Sequence, residues 1–504
     1  MREGKVVLTV NGVPGEYPAG TLLSAVLPDF GLFSLPCGGR GRCGKCRVTA
    51  SGELSPLTDA ETRILTPDEL ARGIRLACQT KALGPADVTF DGGREEKARI
   101  LTEGILPSFD LDPVFGENGI GAAVDIGTTT LAVRLYDRKG KLLREGTRLN
   151  PQASFGADVV SRMQAALAGH AVELKRAVLG AVDSMLASLS PVPPAAAVIT
   201  GNSAMLHLLT GTDVTPLTRA PFRAARLFGE FLTAEELGLS VPAPGAPVLL
   251  PPAIASFVGA DTATAMLACG FADEKNGETA LLADIGTNGE IVLRRNGRLY
   301  ACSTAAGPAF EGAGISMGMG GEAGAVDRVF PGRDGKLAAH VIGDAAPTGI
   351  CGSGLVDAVA CLLENGDLDE TGFLEDEPAV ILPPVELTQN DIRAVQLAKG
   401  AIHAGIRTLL RISGTPVGEV KTFYVAGGFG SYLDVKSACR IGLLPAELRP
   451  AVRVVGNAAL SGCAMLLLGR GLLAPCLAMA RRTGHVELAS SPVFTEEYME
   501  RMLF

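Results

Sequence analysis

The strongest constraint on this chain is a pattern that occurs twice. An apolar run, Ala122-Ala123-Val124, ends in Asp125-Ile126-Gly127-Thr128, passes through Thr129-Thr130 and resumes as Leu131-Ala132-Val133-Arg134-Leu135. The same order returns at Leu281-Leu282-Ala283-Asp284-Ile285-Gly286-Thr287-Asn288, followed by Gly289-Glu290-Ile291-Val292-Leu293. Two apolar stretches about a short polar tip predict a β-hairpin. Gly127 and Gly286 let backbone come close to a ligand. The hydroxyl and N–H groups of Thr128, Thr129, Thr130, Thr287 and Asn288 can hold phosphate oxygens. Asp125 and Asp284, at the strand ends, could hold a magnesium ion through water. One such turn is an ordinary hairpin tip. Two, in separate halves of a long segment, predict two related subdomains facing one cleft. A third glycine-rich turn, Ala426-Gly427-Gly428-Phe429-Gly430, again follows an apolar strand.

Three turns in this order resemble the phosphate-1, phosphate-2 and adenosine motifs of the acetate kinase–sugar kinase–chaperone–actin ATPase superfamily. The resemblance implies a two-lobed, actin-like (ribonuclease H-like) ATPase domain over residues 120–504, with lobes at about 120–275 and 276–504 and with ATP and Mg2+ as ligands. Gly427 and Gly428 would then approach the nucleotide. So would Gly307, in Gly307-Pro308-Ala309-Phe310-Glu311-Gly312, because a superfamily loop at this point nears the phosphates. Two readings of Glu311 stay open: it orders water or metal, or it caps a helix N-terminus. Asn390 to Ile412 has apolar residues at helical spacing, with Lys399 expected on its solvated side. His207, on an apolar helix face, reads as a structural histidine.

Near the N-terminus a second chemistry is written in cysteines. Cys37, Cys43 and Cys46 are followed at a distance by Cys78, a C-x5-C-x2-C-x31-C frame. Four thiolates can hold a [2Fe–2S] cluster, and the plant-type frame has one residue fewer in its first gap. The longer gap resembles vertebrate-type and several bacterial ferredoxins. The intervening glycines suit a loop with unusual backbone angles and N–H groups aimed at sulfur. Structural zinc sites usually pair their cysteines in two short knuckles, and Cys78 has no close mate. Residues 1–90 are therefore expected to form a small β-grasp ferredoxin domain. Lys5–Val10 is its first strand, Asn11-Gly12 a hairpin turn, and a short helix lies within Thr21–Leu27. The other seven cysteines have no cluster spacing and read as small core residues.

Residues 91–119 look like a linker, either packed as a connector or free as a tether with a reach of roughly 30 Å. The net charge of −9 and the absence of tryptophan argue against a nucleic-acid partner. No apolar stretch is long enough to span a bilayer. Met1-Arg2-Glu3-Gly4-Lys5 lacks a secretion signal's apolar core, so a cytoplasmic protein is expected.

A ferredoxin domain joined to this ATPase segment resembles the reductive activators of corrinoid-dependent enzymes. Asn150-Pro151-Gln152, Gly201-Asn202, Gly352-Ser353-Gly354 and Ala426-Gly427-Gly428 carry the resemblance through nearly the whole chain. It implies ATP-dependent, one-electron reduction of a Co(II) corrinoid protein to Co(I), restoring methyltransferase activity. The partners implied are that corrinoid protein and a low-potential electron donor, and related activators look like homodimers. Members can carry an extra middle domain, for which the residues between Cys78 and Asp125 are too few. Three rival readings stay open: an activator of 2-hydroxyacyl-CoA dehydratases, a small-molecule kinase with a redox module, and a non-hydrolysing ferredoxin scaffold.

Overall fold

The computed structural model describes residues 5–30, 39, 41, 44, 46–90, 105–116, 119–332, 336–428 and 432–504. The sheets fall into three main groups, each with its own reason for forming.

The N-terminal sheet comprises β1 (Lys5–Val10), β2 (Val13–Pro18), β3 (Thr21–Leu22), β4 (Arg47–Leu54), β5 (Ile74–Leu76) and β6 (Lys81–Thr89). Asn11 and Gly12 both take positive φ, which closes the two-residue β1–β2 hairpin. β1 lies parallel to β6, which is antiparallel to β4. This is the β-grasp arrangement. β6 alternates strictly between exposed and buried residues, as expected of a sheet with one wetted face. The apolar core, including Leu8, Leu23, Val48, Leu76 and Val88, draws only on residues of this segment. The short helix is Leu23–Val26, inside the predicted span.

The first lobe contains β7 (Gly121–Ile126), β8 (Thr130–Tyr136), β9 (Leu142–Leu149), β10 (Ala196–Gly201), β11 (Glu230–Thr233) and β12 (Pro247–Leu250), in spatial order β11-β12-β10-β7-β8-β9. β7, β8 and β9 form an antiparallel meander, and β10 runs parallel to β7. The second lobe repeats this with β13 (Ala280–Ile285), β14 (Gly289–Arg295) and β15 (Arg298–Thr304). A small sheet of β16 (Ala325–Pro331), β17 (Leu337–Val341) and β18 (Gly349–Ile350) is inserted, with the hairpin β19 (Ala379–Leu382) and β20 (Val385–Leu387). β21 (Thr422–Ala426) and β22 (Val452–Gly456) then complete the large sheet, and β23 (Thr483–His485) adds to its far edge. β13 pairs antiparallel with β14 and parallel with β21. Both lobes thus place three meander strands beside two parallel ones, the ribonuclease H-like order. β7 and β13 are buried along almost their whole length because each is the central strand of a sheet covered on both faces.

The lobes meet through a third core. It joins Ala123, Ala132 and Val198 of the first lobe to Leu282 and Val292 of the second. Between them runs the helix Ala458–Leu468, apolar on every side and wholly buried. It follows β22 in the chain but packs on β7, β10 and the helix Ala260–Ala268 of the first lobe. The lobe boundary in sequence is therefore not the boundary in space. The described part of the 91–119 segment is a packed connector: Ile105 N–H donates to Val455 O at 3.3 Å, Asp112 N–H to Leu468 O at 2.8 Å and Val114 N–H to Leu467 O at 3.0 Å. Residues 91–104 lie outside the described residues, and the tether reading with them.

The amphipathic helix extends over Gln389–Ile412. Lys399 is only 1% exposed. Its ammonium donates to Leu503 O and stands over the Phe504 ring, so it is a buried structural lysine rather than a solvated one. His207 is fully buried, with Nδ1 2.6 Å from Ser203 O. The seven cysteines outside the cluster frame are buried, save Cys439, which is partly so. Among the described residues no helix is long and apolar enough to cross a membrane.

Candidate functional site

The two Asp-Ile-Gly-Thr turns open onto one cleft of about 340 Å³ between the lobes. Asp125 and Asp284 end the central strands β7 and β13, so the repeated fold sets them on opposite walls. In the first lobe, Gly127 N–H closes the tip onto Thr130 O at 2.9 Å. Asn150 braces the tip from outside, donating from Nδ2 to Gly127 O at 2.8 Å. Asn202, which caps the helix Ser203–Thr210, donates to Thr128 Oγ1 at 3.1 Å. In the second lobe, Gly286 N–H donates to Asn288 O at 3.0 Å and Gly307 N–H to Thr287 O at 2.9 Å. Gly427 has φ of +101°, and a Cβ there would lie 2.4 Å from Ile285 O and 2.9 Å from Asp284 Oδ1. Only glycine lets this turn close over the Asp284 carboxylate. Gly428 also lines the cleft, whereas Phe429 and Gly430 lie outside the described residues.

Carboxylates collect at the cleft floor. Burial pushes Asp125 up to about 7, against the Asn457 amide that donates to Oδ2 at 2.9 Å, with the charge of Asp261 adding to the rise. Asp284 also stands at about 7, raised by burial and then by Asp261 and Asp125. Asp261 is raised to about 6 by burial, opposed by the Thr262 N–H. Glu290 is pushed well above its ordinary range, by burial first and then by Asp261 and Asp284. Burial and mutual repulsion together favour the protonated form of each of these carboxyls. Among the described residues no three His, Cys, Asp or Glu side chains converge tightly enough to ligate one ion directly.

Glu311 lines the cleft between the two turns. It is the last residue of the 3₁₀ turn Ala309–Glu311 and does not cap a helix N-terminus. Its Oε2 accepts from Thr129 Oγ1 at 2.6 Å and its Oε1 from Thr287 Oγ1 at 2.9 Å. The helix Gly352–Asn365 opens on the same cleft through Gly352 and Ser353.

At the cysteine frame, Cys46 and Cys78 lie with Sγ atoms 3.2 Å apart. Two thiolates at 2.3 Å from one tetrahedral metal stand about 3.7 Å apart, so a small outward shift would let this pair share one metal ion. Hydrogen bonding from Cys46 pulls the Cys78 thiol down to about 6 against its burial, with help from Gln79 and the Gly41 N–H. Gly39, Gly41 and Gly44 all have positive φ, the backbone freedom anticipated for this loop. Cys37 and Cys43 lie outside the described residues. Glu61, fully buried, braces the Cys78 turn by accepting from Leu76 N–H at 3.1 Å and Thr80 Oγ1 at 2.9 Å, and it pairs with Arg75 at 2.8 Å.

Sequence reasoning did not assign Asp261, Glu290, Asn457 or Glu61 to a site. One signal for Asn457 was available: Gly-Asn at the end of an apolar strand occurs at both Gly201-Asn202 and Gly456-Asn457. Glu61 also had a local signature, Thr58-x-x-Glu61, but it announces only a capping box.

Comparison with known proteins accords with these features. Residues 8–83 match a family model described as a 2Fe-2S iron-sulfur cluster binding domain. Residues 120–274 match one described as the RACo middle region, and 278–504 one described as the C-terminal domain of RACo, the ASKHA domain. The middle-region match thus falls on the first lobe itself and not on an insertion ahead of it. The chain is similar to the corrinoid activation enzyme RamQ of Eubacterium limosum, at 32% identity over 96% of each chain. It is also similar to the [Co(II) methylated amine-specific corrinoid protein] reductase of Methanosarcina barkeri, at 27% identity over 75% of this chain and 76% of that one. The solved structure of a reductive activator for a corrinoid, iron-sulfur protein superposes with a TM-score of 0.72 and 28% identity, covering 99% of this chain and 98% of that one.

Proposed function

The chain belongs to the family of the reductive activators of corrinoid proteins, and on that premise we propose that it uses ATP to drive one-electron reduction of a Co(II) corrinoid protein to Co(I). The observation that carries the reading is the joining, in one chain, of a β-grasp domain with paired cysteines to a cleft where two phosphate-type turns face each other.

Cys37, Cys43, Cys46 and Cys78 are the ligands we assign to the cluster. Held there, a [2Fe–2S] cluster would supply single-electron transfer to cobalt. The cleft supplies the driving force. Thr128, Thr129, Thr130, Thr287 and Asn288 would donate to the phosphates, Gly127 and Gly286 would let the backbone come close to them, Gly307 supports the second of these turns, and Gly427 and Gly428 would admit the adenosine. Asp125 and Asp284 would hold Mg2+, which would neutralise phosphate charge, and would orient the attacking water, with Asn457 fixing the Asp125 carboxylate. Catalysis of this kind is positioning and charge stabilisation. An acceptor about 200 mV below its donor costs roughly 5 kcal/mol per electron. ATP binding or hydrolysis offsets that cost by biasing a two-lobed hinge, whose state sets affinity for the partner. The electron donor is a low-potential carrier, and the seven unclustered thiols suit the reducing cytoplasm.

The test is anaerobic. The protein, a reductant and a Co(II) corrinoid protein from the same organism are mixed with and without ATP, and Co(I) absorbance is followed. ATP-dependent Co(I) formation is expected. It should be lost in Asp284→Ala, which keeps the cluster's visible absorbance, and in Cys78→Ala, which still binds nucleotide. Steady ATP turnover on adding a metabolite, with no Co(I), would replace this reading by that of a kinase.

A further inference from the structure

Among the described residues, Glu311 is the side chain tied to both phosphate turns. Thr129 stands at the β7–β8 tip of the first lobe and Thr287 at the β13–β14 tip of the second. One carboxylate accepts from both hydroxyls, at 2.6 and 2.9 Å. To a hydroxyl donor, a carboxylate and a terminal phosphate offer the same thing: two or more anionic oxygens at charge-assisted hydrogen-bonding distance.

A buried cation supports the comparison. Arg162 is fully buried in the first lobe. Its Nε donates to Gly156 O at 2.8 Å and its Nη1 reaches Met205 Sδ at 3.4 Å, while Nη2 finds no partner among the described residues. The carboxylates whose charges act on it are Asp158 and Glu311. Burying a guanidinium with so few partners is costly unless an anion stands near. Asp158 is the stronger of the two, and Glu311 adds to it.

We propose that Glu311 is a surrogate for the γ-phosphate. It fills the acceptor position shared by the two turns, ties the lobes together in the nucleotide-free state, and is displaced by a triphosphate but not by a diphosphate. The proposal rests on the reading of this cleft as an ATP site. Its consequence is a division of labour between nucleotides. ATP must break the tie to seat its last phosphate, so part of its binding energy goes into freeing one lobe from the other. ADP leaves the tie intact and signals nothing. Glu311 is thus a positioning residue that makes the lobes read the number of phosphates.

The experiment is calorimetric titration of the cluster-loaded full chain with MgATP, a non-hydrolysable ATP analogue and MgADP. In Glu311→Ala the two triphosphates should bind about tenfold tighter or more, one charge-assisted hydrogen bond's worth, while ADP affinity stays at the wild-type value. Glu311→Gln, of the same shape but with one acceptor oxygen, should fall between and also covers a misfolded alanine variant. Weaker binding of all three nucleotides in Glu311→Ala would overturn the proposal and make Glu311 a support for the cation. Equal changes for ATP and ADP would overturn it too, as would no change. A wild-type protein that binds no nucleotide at all would instead sink the ATP reading beneath it.

Discussion

At the scale of single residues, the site is built from side chains that serve fold and function at once, and their two roles can be separated. Asn457 is the clearest case. Its Oδ1 accepts from Leu460 N–H at 2.7 Å and caps the buried helix, while its Nδ2 holds Asp125. Asn457→Ala should cost about 1 kcal/mol of stability for the lost cap, read from the denaturant midpoint. Asn457→Ser keeps a capping hydroxyl but is too short to reach Asp125. It should melt close to wild type, yet form Co(I) about tenfold more slowly, since a hydrogen bond to a charged group is removed. Equal rates in wild type and Asn457→Ser would mean that the contact with Asp125 has no part in the reaction. Asn457 was hard to see in advance because its partner lies 332 positions away in the chain.

At the scale of elements, the helix Ala458–Leu468 decides how the lobes meet. A Cβ added at Gly462 would stand 1.9 Å from Thr264 O, in the backbone of the helix Ala260–Ala268. Backbone cannot rotate away as a flexible side chain does. These two helices also carry Asn457 at the cap of one and Asp261 in the first turn of the other. Gly462→Ala should therefore cost on the order of 2 kcal/mol, the range for overpacking a filled core. It should also weaken nucleotide binding, although no cleft residue is altered. Wild-type affinity in a destabilised Gly462→Ala would show that the helix contact does not position the site. The hairpins of both lobes were legible from alternation and the Gly-Thr tips, because a local pattern dictates a local structure. The swap of this helix onto the other lobe was not, because an all-apolar helix carries no face that names its partner.

At the scale of the whole molecule, the β-grasp domain has its own core and an electrostatic lock of its own. Burial raises the Glu61 carboxyl, but Arg75 and the Thr58, Leu76 and Thr80 donors outweigh it and pull it down to about 2. Its stabilisation is full above the unfolded value of 4.5 and is lost as pH falls from there towards about 2. Over that window the linkage amounts to about 3 kcal/mol. Acidification should therefore lower the denaturant midpoint of the N-terminal domain more steeply in wild type than in Glu61→Gln, which starts lower because Arg75 is left unpaired. Identical acid slopes in the two proteins would remove Glu61 as the acid-sensitive lock.

The sequence by itself determined the two chemistries and the duplicated architecture. Cysteine spacing and the two Asp-Ile-Gly-Thr tips are short-range signals, and the physics behind them, ligand geometry and hairpin turns, acts over a few residues. It also placed Asp125 and Asp284 at strand ends, and the fold made those strands central and set the two residues across one cleft. Tertiary structure alone decided what stands between them. Asp261, Glu290 and Asn457 enter the floor of the cleft from separate elements, and Glu311 joins Thr129 to Thr287 across both lobes. Electrostatics and hydrogen bonding act through space, and residues distant in the chain become neighbours only when two sheets close on a shared core.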